Sequence, residues 1–487
     1  MGSNIKNMIK KDFQKLNDWL WKIPKSFRQD MRVPARAYVS EKMLEDAFRD
    51  KSLDQLVNVA VLPGIINYSM AMPDMHEGYG FPIGGVAAMD TKTGVISPGG
   101  VGYDINCGMK LLKSDYKEEE IKNHLENLAT EIQKEVPSGL GKGRQIKLDT
   151  NSISKILEGG AQRLVEQGYG EKEDLENCES NGRLPQADAA TVSDYAKNRG
   201  RDQVGTLGSG NHFLEIQKVA EIYDKKTAEI FGLFRDQIVI MIHTGSRGLG
   251  HQIATDYIKI MMGAMDKYGI RLPDRELAAC PINSSEGKRY FSAMACGANY
   301  AWANRQMITH FIRKVWNSVL GEKASPLSAV YDVAHNIAKI EKNIVDGKEI
   351  EFCVHRKGAT RAFPPFHPEI PQKYQEVGQP VLIPGSMGTA SYVLVGQKEG
   401  AAAWFSTCHG AGRIMSRHEA MRRVSGQEVV KSLESKGIII KCWSLRGIAE
   451  EAPMVYKNID EVIEVVHSAG LSKKVARLVP LAVIKGE

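Results

Sequence analysis

The stretch Ser97-Pro-Gly-Gly-Val-Gly-Tyr-Asp-Ile-Asn-Cys-Gly108 is the part of the chain around which the rest is best understood. It places Asp104 and Cys107 on one glycine-rich loop, where small residues let the backbone bend and leave room for an ion or a phosphate. A carboxylate and a thiolate at this spacing can face one centre. However, a single cysteine among apolar residues is usually only a small buried side chain. A metal site therefore needs further ligands from elsewhere in the sequence.

Composition and charge describe a globular protein. Of 487 residues, 43% are hydrophobic and 25% are charged, and the formal net charge is +6, which suits an anionic partner without requiring one. The length allows several domains of about 150 residues, but no linker or repeat divides the chain. We therefore expect one compact α/β domain over residues 1–487, with mixed strands around a central metal pocket and helices outside.

The compartment follows from the cysteines and from hydrophobicity. The seven cysteines are scattered, contain no C-x-x-C pair and follow no secretory signal, so a disulfide framework is not expected and a reducing, cytoplasmic setting is. No apolar run approaches the roughly 20 residues of a membrane span. Residues 1–32 carry an amphipathic pattern around Trp19 to Ile23, which predicts an N-terminal helical segment packed on the domain.

Four histidines share one sequence context, either the end of a strand or a glycine-rich turn: His212, His243, His335 and His409. The run Gln237 to Ile242 is a predicted buried strand that ends at His243. A second predicted strand, Leu327 to Val333, leads to His335 and then to a predicted helix beginning at Ile337. Any one of these histidines is more often structural than functional, but four of them together with Asp104 and Cys107 favour a metal centre.

The donor types narrow the choice of metal. Carboxylate, thiolate and imidazole together suit Mn²⁺, Zn²⁺, Co²⁺ or Ni²⁺ better than Mg²⁺ or Ca²⁺, and a thiolate can bridge two ions. Two adjacent ions would clamp a phosphate. Asp74 and His76 form a D-x-H sequence that either contributes ligands, supports the ligands, or is an ordinary turn.

Further helices are predicted over Glu118 to Glu135, Ile153 to Gln167, Ser285 to Leu320 and the basic segment Ile414 to Val424. The intervening segment, residues 171–205, is polar and is predicted to be a long loop.

Five blocks of sequence resemble, in the same order, the signature blocks of the RtcB family of RNA-splicing ligases. They are Pro98–Gly108, Gly205–Glu215, His243–Gly248, Asp332–Asn336 and Cys408–Arg413. The resemblance extends from about residue 30 to Lys485. It implies a GTP- and Mn²⁺-dependent ligase that joins an RNA 2′,3′-cyclic phosphate or 3′-phosphate end to a 5′-hydroxyl end.

The resemblance also implies roles for individual residues. Asp104, Cys107 and His335 would hold one Mn²⁺, and Cys107, His212 and His243 the other. His409 would attack the GTP α-phosphate, carry GMP and pass it to the RNA 3′-phosphate, from which the 5′-hydroxyl displaces it. A neutral imidazole is a competent nucleophile for such a step.

The implied guanosine nucleotide site is Asn211, His212, Phe213, Leu214, Glu215, His335, Asn336, Pro384, Gly385, Ser386, Met387, Ser391, His409, Gly410, Ala411, Gly412 and Lys485. The expected RNA-backbone contacts are Arg199, Arg247, Arg413 and Arg417, although arginines on helices are often simply solvated.

The sequence also allows two other functional interpretations. One is a metal-dependent phosphodiesterase or phosphatase that acts on RNA ends without a nucleotide intermediate, with His409 as a general acid. The other is a non-catalytic RNA-binding protein, which would not need the metal-ligating residues. The expected substrate is RNA such as tRNA halves, with archease as an activating partner left open, no membrane partner, and a monomer sufficient to form the pocket.

Overall fold

A computed structural model describes residues 8–138, 148–345 and 347–486 of the chain. Within them the strands are β1 Gln14–Asn17, β2 Leu20–Ile23, β3 Ala35–Tyr38, β4 Ile65–His76, β5 Ile83–Asp90, β6 Val95–Ile96, β7 Gly108–Lys117, β8 Phe213–Ile222, β9 Gln237–Thr244, β10 Cys280–Pro281, β11 Ser328–Ala334, β12 Asn336–Val345, β13 Lys348–Lys357, β14 Ala359–Arg361, β15 Pro380–Ile383, β16 Ser391–Gly396, β17 Ser406–Cys408, β18 Ile439–Cys442 and β19 Ser472–Lys485. The α-helices are α1 Glu41–Ala47, α2 Ser52–Val59, α3 Glu118–Ile121, α4 Leu125–Glu135, α5 Thr150–Glu166, α6 Lys172–Glu176, α7 Asp194–Gly200, α8 Lys225–Phe231, α9 Arg247–Ala264, α10 Ser285–Leu320, α11 Arg417–Arg423, α12 Gly426–Glu434, α13 Leu445–Glu450 and α14 Ile459–Ser468.

Most of these strands form two sheets. The first, called here the N-terminal sheet, has the order β1-β2-β3-β4-β5-β13-β12, in which only β3 and β4 pair in parallel. The second, called the central sheet, has the order β11-β7-β9-β8-β19-β16-β15, and β18 pairs in parallel with β19. The expected mixed α/β architecture in one compact domain is confirmed.

Strand β9 shows why the central sheet is apolar on both faces. Its residues Ile238, Ile240 and Ile242 lie in the core that the sheet shares with the helices. The alternate residues Val239 and Met241 lie in a second core on the opposite face. Burial of each such side chain contributes about 1.5–3 kcal/mol. The sequence of a strand covered on both faces is a continuous apolar run. The strand predicted over this segment is confirmed.

Helix α10 is the longest helix of the described residues, and its bounds match the predicted helix Ser285 to Leu320. It packs against α4, α5 and α9. The predicted helix from Glu118 to Glu135 is divided into α3, a short 3-10 turn and α4, and the basic helix is shorter than predicted, as α11. The polar segment 171–205 is not wholly a loop, because α6 and α7 lie within it.

The N-terminal segment differs from the prediction. Residues 1–7 lie outside the described part, but the segment that follows forms a β1–β2 hairpin rather than a helix. In β2, Trp21 and Ile23 are buried while Leu20 and Lys22 are half-buried, which is the two-residue period of a strand. The helical expectation for residues 1–32 is wrong where the structure describes them, because β2 also pairs with β3.

The segment after His335 also differs from the prediction. The helix predicted from Ile337 is instead strand β12, which pairs antiparallel with β13 along its length. Its charged residues Lys339 and Glu341 are buried. Lys339 donates to Glu179 at 2.9 Å, and Arg356 pairs with Glu341. Tertiary ion pairs therefore make a buried strand possible at a sequence that looks polar.

Among the helices of the described residues, none is both long and apolar enough to cross a membrane. All seven cysteines are free thiols, and all except the half-buried Cys442 are buried.

Candidate active site

The predicted metal ligands meet at one end of four adjacent strands of the central sheet. Met109 of β7 is paired with His243 of β9, and His243 is paired with Phe213 of β8. Val333 of β11 is paired with Met109 on the other side. Since neighbouring strands are antiparallel, the beginnings of β7 and β8 lie beside the ends of β9 and β11. The register therefore brings Cys107, His212, His243 and His335 to the same edge.

The donor atoms lie close together. Cys107 Sγ is 3.5 Å from His212 Nε2 and 3.3 Å from His243 Nε2. His243 Nε2 is 3.3 Å from His335 Nε2. At the other end, His212 Nε2 lies 2.8 Å from Asp104 Oδ2. The five side chains thus form a continuous series from Asp104 to His335, and all of them except Asp104 are buried.

Two overlapping groups in this series can each hold an ion. One is Cys107 with His243 and His335, and the other is Cys107 with Asp104 and His212. The resemblance assigns His335 and His243 to different ions, whereas the interatomic distances place them in one group. Cys107 belongs to both groups in either division, as a bridging thiolate would.

The protonation of the histidines suits a cation. Burial lowers the pKa of His243 and of His335 well below the ordinary value, so both imidazoles are neutral. His243 Nδ1 donates to the carbonyl of Asn211 at 3.1 Å, which leaves the lone pair on Nε2. Two imidazole Nε2 atoms and a sulfur directed at one centre fit a divalent transition metal.

Cys107 and Asp104 complete the donor set. Burial raises the pKa of the Cys107 thiol, so metal binding must displace its proton. Burial also opposes ionisation of Asp104, but the hydrogen bond from His212 prevails and holds the pKa of that carboxyl below its usual range. Gly245 is required beside it, because a Cβ there would lie 2.5 Å from both carboxylate oxygens.

Buried Arg305 of α10 supports the Ser97–Gly108 loop, which carries the candidate metal ligands Asp104 and Cys107. Its guanidinium donates to Asp332 at 2.9 Å, to the Asn106 carbonyl at 2.8 Å and to the Thr244 carbonyl at 2.9 Å. Asn106 has a positive φ of 52°, which asparagine tolerates better than most residues. This one side chain therefore ties together the loop before β7 and the ends of β9 and β11.

His409 lies at the His335 end of the cluster, with the two ring centroids 5.0 Å apart. It follows β17, which pairs with β14. Its Nδ1 donates to Asp74 Oδ2 at 2.5 Å, and its backbone N–H donates to the same oxygen at 2.9 Å. A carboxylate on Nδ1 selects the tautomer whose Nε2 carries the lone pair, as a nucleophile requires.

Asp74 is wholly buried on β4, so its carboxylate is directed by the N-terminal sheet. Gly412 allows the Cys408–Arg413 segment to approach this strand, since its φ is 76° and a Cβ would lie 2.1 Å from the Asp74 carbonyl oxygen. His76 belongs to neither group of possible metal ligands found among the described residues. Its Nδ1 lies 3.0 Å from the Asp74 carbonyl oxygen, and burial lowers its pKa to about 4. Of the alternatives for Asp74 and His76, support of a site residue is the one the geometry favours.

A cavity of about 270 Å³ joins the candidate metal ligands to His409. The predicted residues that line it are Asp104, Cys107, Asn211, Phe213, His243, His335, Asn336, Pro384, Gly385, Ser386, Met387, His409, Gly410, Ala411, Gly412, Arg413, Arg417 and Lys485. His212 lies behind Asp104 and Cys107. Leu214 has its side chain in the core shared with the helices, on the face opposite Phe213.

Glu215 and Ser391 lie behind the cavity wall in a buried polar group. Gln217 donates to Glu215 at 2.6 Å and to Ser391 at 3.0 Å, and Ser391 accepts from the Gly385 backbone at 3.3 Å. Burial raises the pKa of Glu215 to about 8. Lys485 donates to the carbonyls of Gly210 and His212, and burial lowers its pKa to about 8.

The four arginines predicted to contact RNA have different surroundings. Arg413 is largely buried and donates to Glu451 at 2.8 Å, whereas Arg417 bonds the same carboxylate at 3.1 Å with 51% of its side chain exposed. Arg247 is half-buried beside Thr206, and Arg199 is exposed on α7. Glu451 and Tyr456 line the cavity and were not anticipated; nothing in their local sequence indicates it.

The fold and the site define a class of protein: a mixed α/β domain with a central cavity that joins a cluster of metal-ligating side chains to a histidine oriented by a carboxylate. Comparison with known proteins is specific about the family. The family model described as tRNA-splicing ligase RtcB matches residues 55–486. The chain therefore belongs to the RtcB family.

Individual relatives agree over nearly the whole chain. A tRNA-splicing ligase RtcB of Thermococcus kodakarensis is 53% identical over 96% of this chain and 97% of its own length. One of Archaeoglobus fulgidus is 51% identical over 99% of this chain and all of its own. An RNA-splicing ligase RtcB of Mycobacterium bovis is 53% identical over 89% of this chain and all of its own.

Proposed function

We propose that this chain joins an RNA 2′,3′-cyclic phosphate or 3′-phosphate end to a 5′-hydroxyl end, using GTP and two Mn²⁺ ions. Membership of the RtcB family makes it an RNA ligase. The nucleotide, the metal and the chemistry of the RNA ends are the parts proposed here. The observation that carries the proposal is the hydrogen bond from His409 Nδ1 to Asp74, beside the five metal-ligating side chains.

His409 acts first in this proposal. Its Nε2 lone pair attacks the α-phosphate of GTP, a phosphorus–nitrogen bond forms, and the bond to the β-phosphate oxygen breaks to release pyrophosphate. Asp74 retains the proton on Nδ1 and stabilises the positive charge that develops on the ring. The backbone N–H groups of His409 and Gly410 fix the carboxylate in place.

Two further displacements complete the reaction. An oxygen of the RNA 3′-phosphate attacks the phosphorus of the histidine-bound GMP, and the phosphorus–nitrogen bond breaks to give RNA-3′-pp-G. The 5′-hydroxyl then attacks the RNA 3′-phosphate, forms the phosphodiester and releases GMP together with a proton. A cyclic phosphate end is first opened by water to a 3′-phosphate.

Asp104, Cys107, His212, His243 and His335 are the residues proposed to hold the metal ions. When bound, the ions offset the negative charge of the phosphates during each in-line displacement. The chain's own contribution is to keep the imidazoles neutral by burial and to shape the cavity so that His409 adjoins the cluster.

The nucleotide is proposed to lie between the Pro384–Met387 loop and the start of β8. Burial raises the pKa of Glu215 to about 8, so guanine must stabilise its carboxylate form on binding. That carboxylate then accepts hydrogen bonds from the N1–H and N2 groups of guanine. Lys485 at the end of β19 suits the O6 acceptor. Small residues in the loop allow the backbone to come close to the nucleotide. The expected RNA contacts, Arg199, Arg247, Arg413 and Arg417, supply positive charge around the cavity.

The physiological setting is also part of the proposal. We infer a cytoplasmic enzyme that acts on tRNA halves or damaged RNA, as a monomer because the pocket is built from one chain. The hydrolase alternative is not favoured, since the family is one of ligases and a hydrolase does not need the guanosine site. The non-catalytic alternative leaves the metal-ligating cluster without a use.

The test is a covalent labelling experiment. The purified protein is incubated with Mn²⁺ and GTP labelled at the α-phosphate and then separated under denaturing conditions, with His409→Ala as the matched variant. Acid-labile label on the wild type and none on His409→Ala is the expected result. If neither protein is labelled with any of several divalent metals, the hydrolase becomes the better account, and release of phosphate from RNA ends without GTP is then measured.

A further inference from the structure

Three aromatic rings form a short series next to the metal-binding loop. The rings of Tyr103 and His251 are stacked, with centroids 4.8 Å apart and planes 22° apart. Tyr79 meets Tyr103 edge-on at 5.2 Å. Tyr103 is half-buried, but His251 is exposed. One face of the His251 ring is covered by Tyr103, and within the described residues no other ring covers the opposite face.

The series lies at the Asp104 end of the cluster. Tyr103 directly precedes Asp104, and His251 lies in the second turn of α9. The residue before α9, Ser246, donates to Asp104 Oδ1 at 3.3 Å. His409 lies at the opposite end, next to His335. The aromatic pair and the nucleophile therefore lie on opposite sides of the metal-ligating side chains.

The surroundings of the stacked Tyr103–His251 pair suit a polynucleotide. Arg199 of α7 is exposed and donates to Gln252, the residue after His251, at 2.9 Å. The first turn of α9 adds the positive end of a helix dipole. Proteins bind single-stranded nucleic acid by combining positive charge along the backbone with aromatic rings on which bases stack. An exposed stacked imidazole beside an arginine meets both requirements.

The direction of the chemistry indicates which strand the pair would serve. In the sealing step of the proposed function, GMP leaves toward His409, so the attacking hydroxyl must approach from the opposite side in an in-line displacement. That side is the Asp104 end of the cluster. The strand that carries the 5′-hydroxyl therefore passes Tyr103 and His251.

We propose that the stacked Tyr103–His251 pair is a base-stacking platform for the first nucleotide of the 5′-hydroxyl RNA strand. The inference rests on the proposed ligase chemistry for its choice of strand. His251 presents the contacting face, and Tyr103 holds that ring from behind. Arg199 contacts the adjoining phosphate. Because stacking is tolerant of base identity, the platform accepts any 5′-terminal base.

The experiment measures sealing alone, with RNA already converted to the 3′-pp-G form and a 5′-hydroxyl strand whose concentration is varied. His251→Ala is expected to raise the KM for the 5′-hydroxyl strand about tenfold. His251→Phe, which keeps a flat ring, is expected to restore a KM within about twofold of wild type. The fraction of enzyme that accepts labelled GMP normalises every rate for active protein.

A matched control comes from a second tyrosine–histidine contact in the chain. The ring of His310 on α10 meets the ring of Tyr169, which lies between α5 and α6, edge-on at 5.2 Å, and neither residue lines the cavity. His310→Ala removes a half-buried imidazole that also contacts a tyrosine ring, and it is expected to leave the KM of the 5′-hydroxyl strand unchanged. An equal rise in both alanine variants would contradict a specific platform.

A substrate lesion tests the contact from the RNA side. With the wild type, a strand with an abasic first nucleotide should have a KM about tenfold higher than that of the normal strand. With His251→Ala, the abasic strand and the normal strand should have equal KM values. If the wild type and His251→Ala seal normal RNA with equal KM, the platform is overturned. The other outcome is that wild type and His251→Ala differ in KM only when the 3′-terminal nucleotide of the other strand carries its base. That result would overturn the assignment to the 5′-hydroxyl strand.

A binding readout separates this inference from the proposed function. Fluorescence of 2-aminopurine as the first base of the 5′-hydroxyl strand is measured with the Mn²⁺-loaded protein without GTP. Quenching by wild type and loss of quenching with His251→Ala support the platform even if no GMP is ever transferred. Normal GMP transfer with equal quenching by both proteins would contradict the platform alone.

Discussion

The carboxylate of Asp74 accepts a hydrogen bond of 2.5 Å from Nδ1 of His409, although the two residues are 335 positions apart in sequence. Asp74 comes from a strand of the N-terminal sheet, and His409 follows a strand near the other end of the chain. The same carboxylate oxygen also accepts from two backbone N–H groups. The orientation of the proposed nucleophile is therefore decided by contacts between distant segments.

Asp74→Asn tests this relationship. An amide can present its NH₂ group to Nδ1 and so favour the tautomer whose Nε2 carries the hydrogen, which cannot attack. We expect transfer of labelled GMP from GTP to slow by about 10²–10⁴-fold, with little change in the melting temperature. Asp50→Asn is a suitable control, because that aspartate caps the nearby backbone of Ser52 without touching His409. An unchanged transfer rate in Asp74→Asn would show that the carboxylate is only structural.

The shared position of Cys107 leads to an expectation about metal content. Since Cys107 belongs to both groups of possible ligands, Cys107→Ala should weaken the binding of both ions, whereas His212→Ala should weaken the binding of one. Metal analysis after dialysis against Mn²⁺ should give about two ions for wild type and less than one for Cys107→Ala. Cys296→Ala, which changes a buried cysteine of α10, should keep both. Two tightly bound ions in Cys107→Ala would refute the bridging role.

The raised pKa of Glu215 predicts how stability varies with pH. Its pKa is about 8 in the folded protein against an ordinary value of 4.5, so the folded state holds the proton more tightly. The contribution of the Glu215 carboxyl to the free energy of unfolding is fully present below pH 4.5 and is lost as the pH rises through 8. Glu215→Gln should therefore gain stability relative to wild type over this range, on the order of 3 kcal/mol.

Urea unfolding of the two proteins from pH 5 to pH 8 measures this difference. Lys485, with a pKa lowered to about 8 by burial, acts in the opposite sense only above that pH, so the range should stop there. Glu221→Gln, at an exposed position near the end of the same strand, is a control for the loss of a negative charge. A constant difference between wild type and Glu215→Gln across the range would mean that the carboxyl titrates normally.

Arg305→Met is expected to destabilise the protein strongly. The substitution leaves Asp332 buried without its cationic partner and removes the donors to the carbonyls of Asn106 and Thr244, beside the candidate metal ligands. Breaking a buried pair in this way costs about 3–5 kcal/mol, measured as the change in the free energy of unfolding by urea. Arg289→Met, at an exposed position of the same helix, should change it by less than about 0.5 kcal/mol. A similar small change in Arg305→Met would contradict the supporting role.

Part of the fold could be read directly from local patterns. Helix α10 has the bounds expected from its sequence, and strand β9 begins at the predicted residue but continues past Ile242 to Thr244. Both elements were recognisable because their apolar residues recur with the period of a helix or a buried strand. Strand β12 could not be recognised, since Lys339 and Glu341 look like a solvated face until Glu179 and Arg356 are seen to pair with them. The β1–β2 hairpin was missed because Trp21 and Ile23 also suit an amphipathic helix.

The candidate site, like the fold, was predictable from the sequence only in part. The residue types and their glycine-rich settings were sufficient to select Asp104, Cys107 and the four histidines, because metal and phosphate chemistry restricts which side chains appear in such loops. The partners that orient them, such as Asp74 for His409, come from segments whose own sequences carry no distinguishing signal.

The sequence by itself determined the family, the mixed α/β class and the identity of the proposed reactive side chains, since these depend on local composition and on motifs. Only the tertiary structure decided which tautomer His409 adopts, how the ligating atoms are grouped around Cys107 and which charges are buried. Those properties depend on distances between residues far apart in the chain, which the register of two sheets establishes and no local pattern encodes.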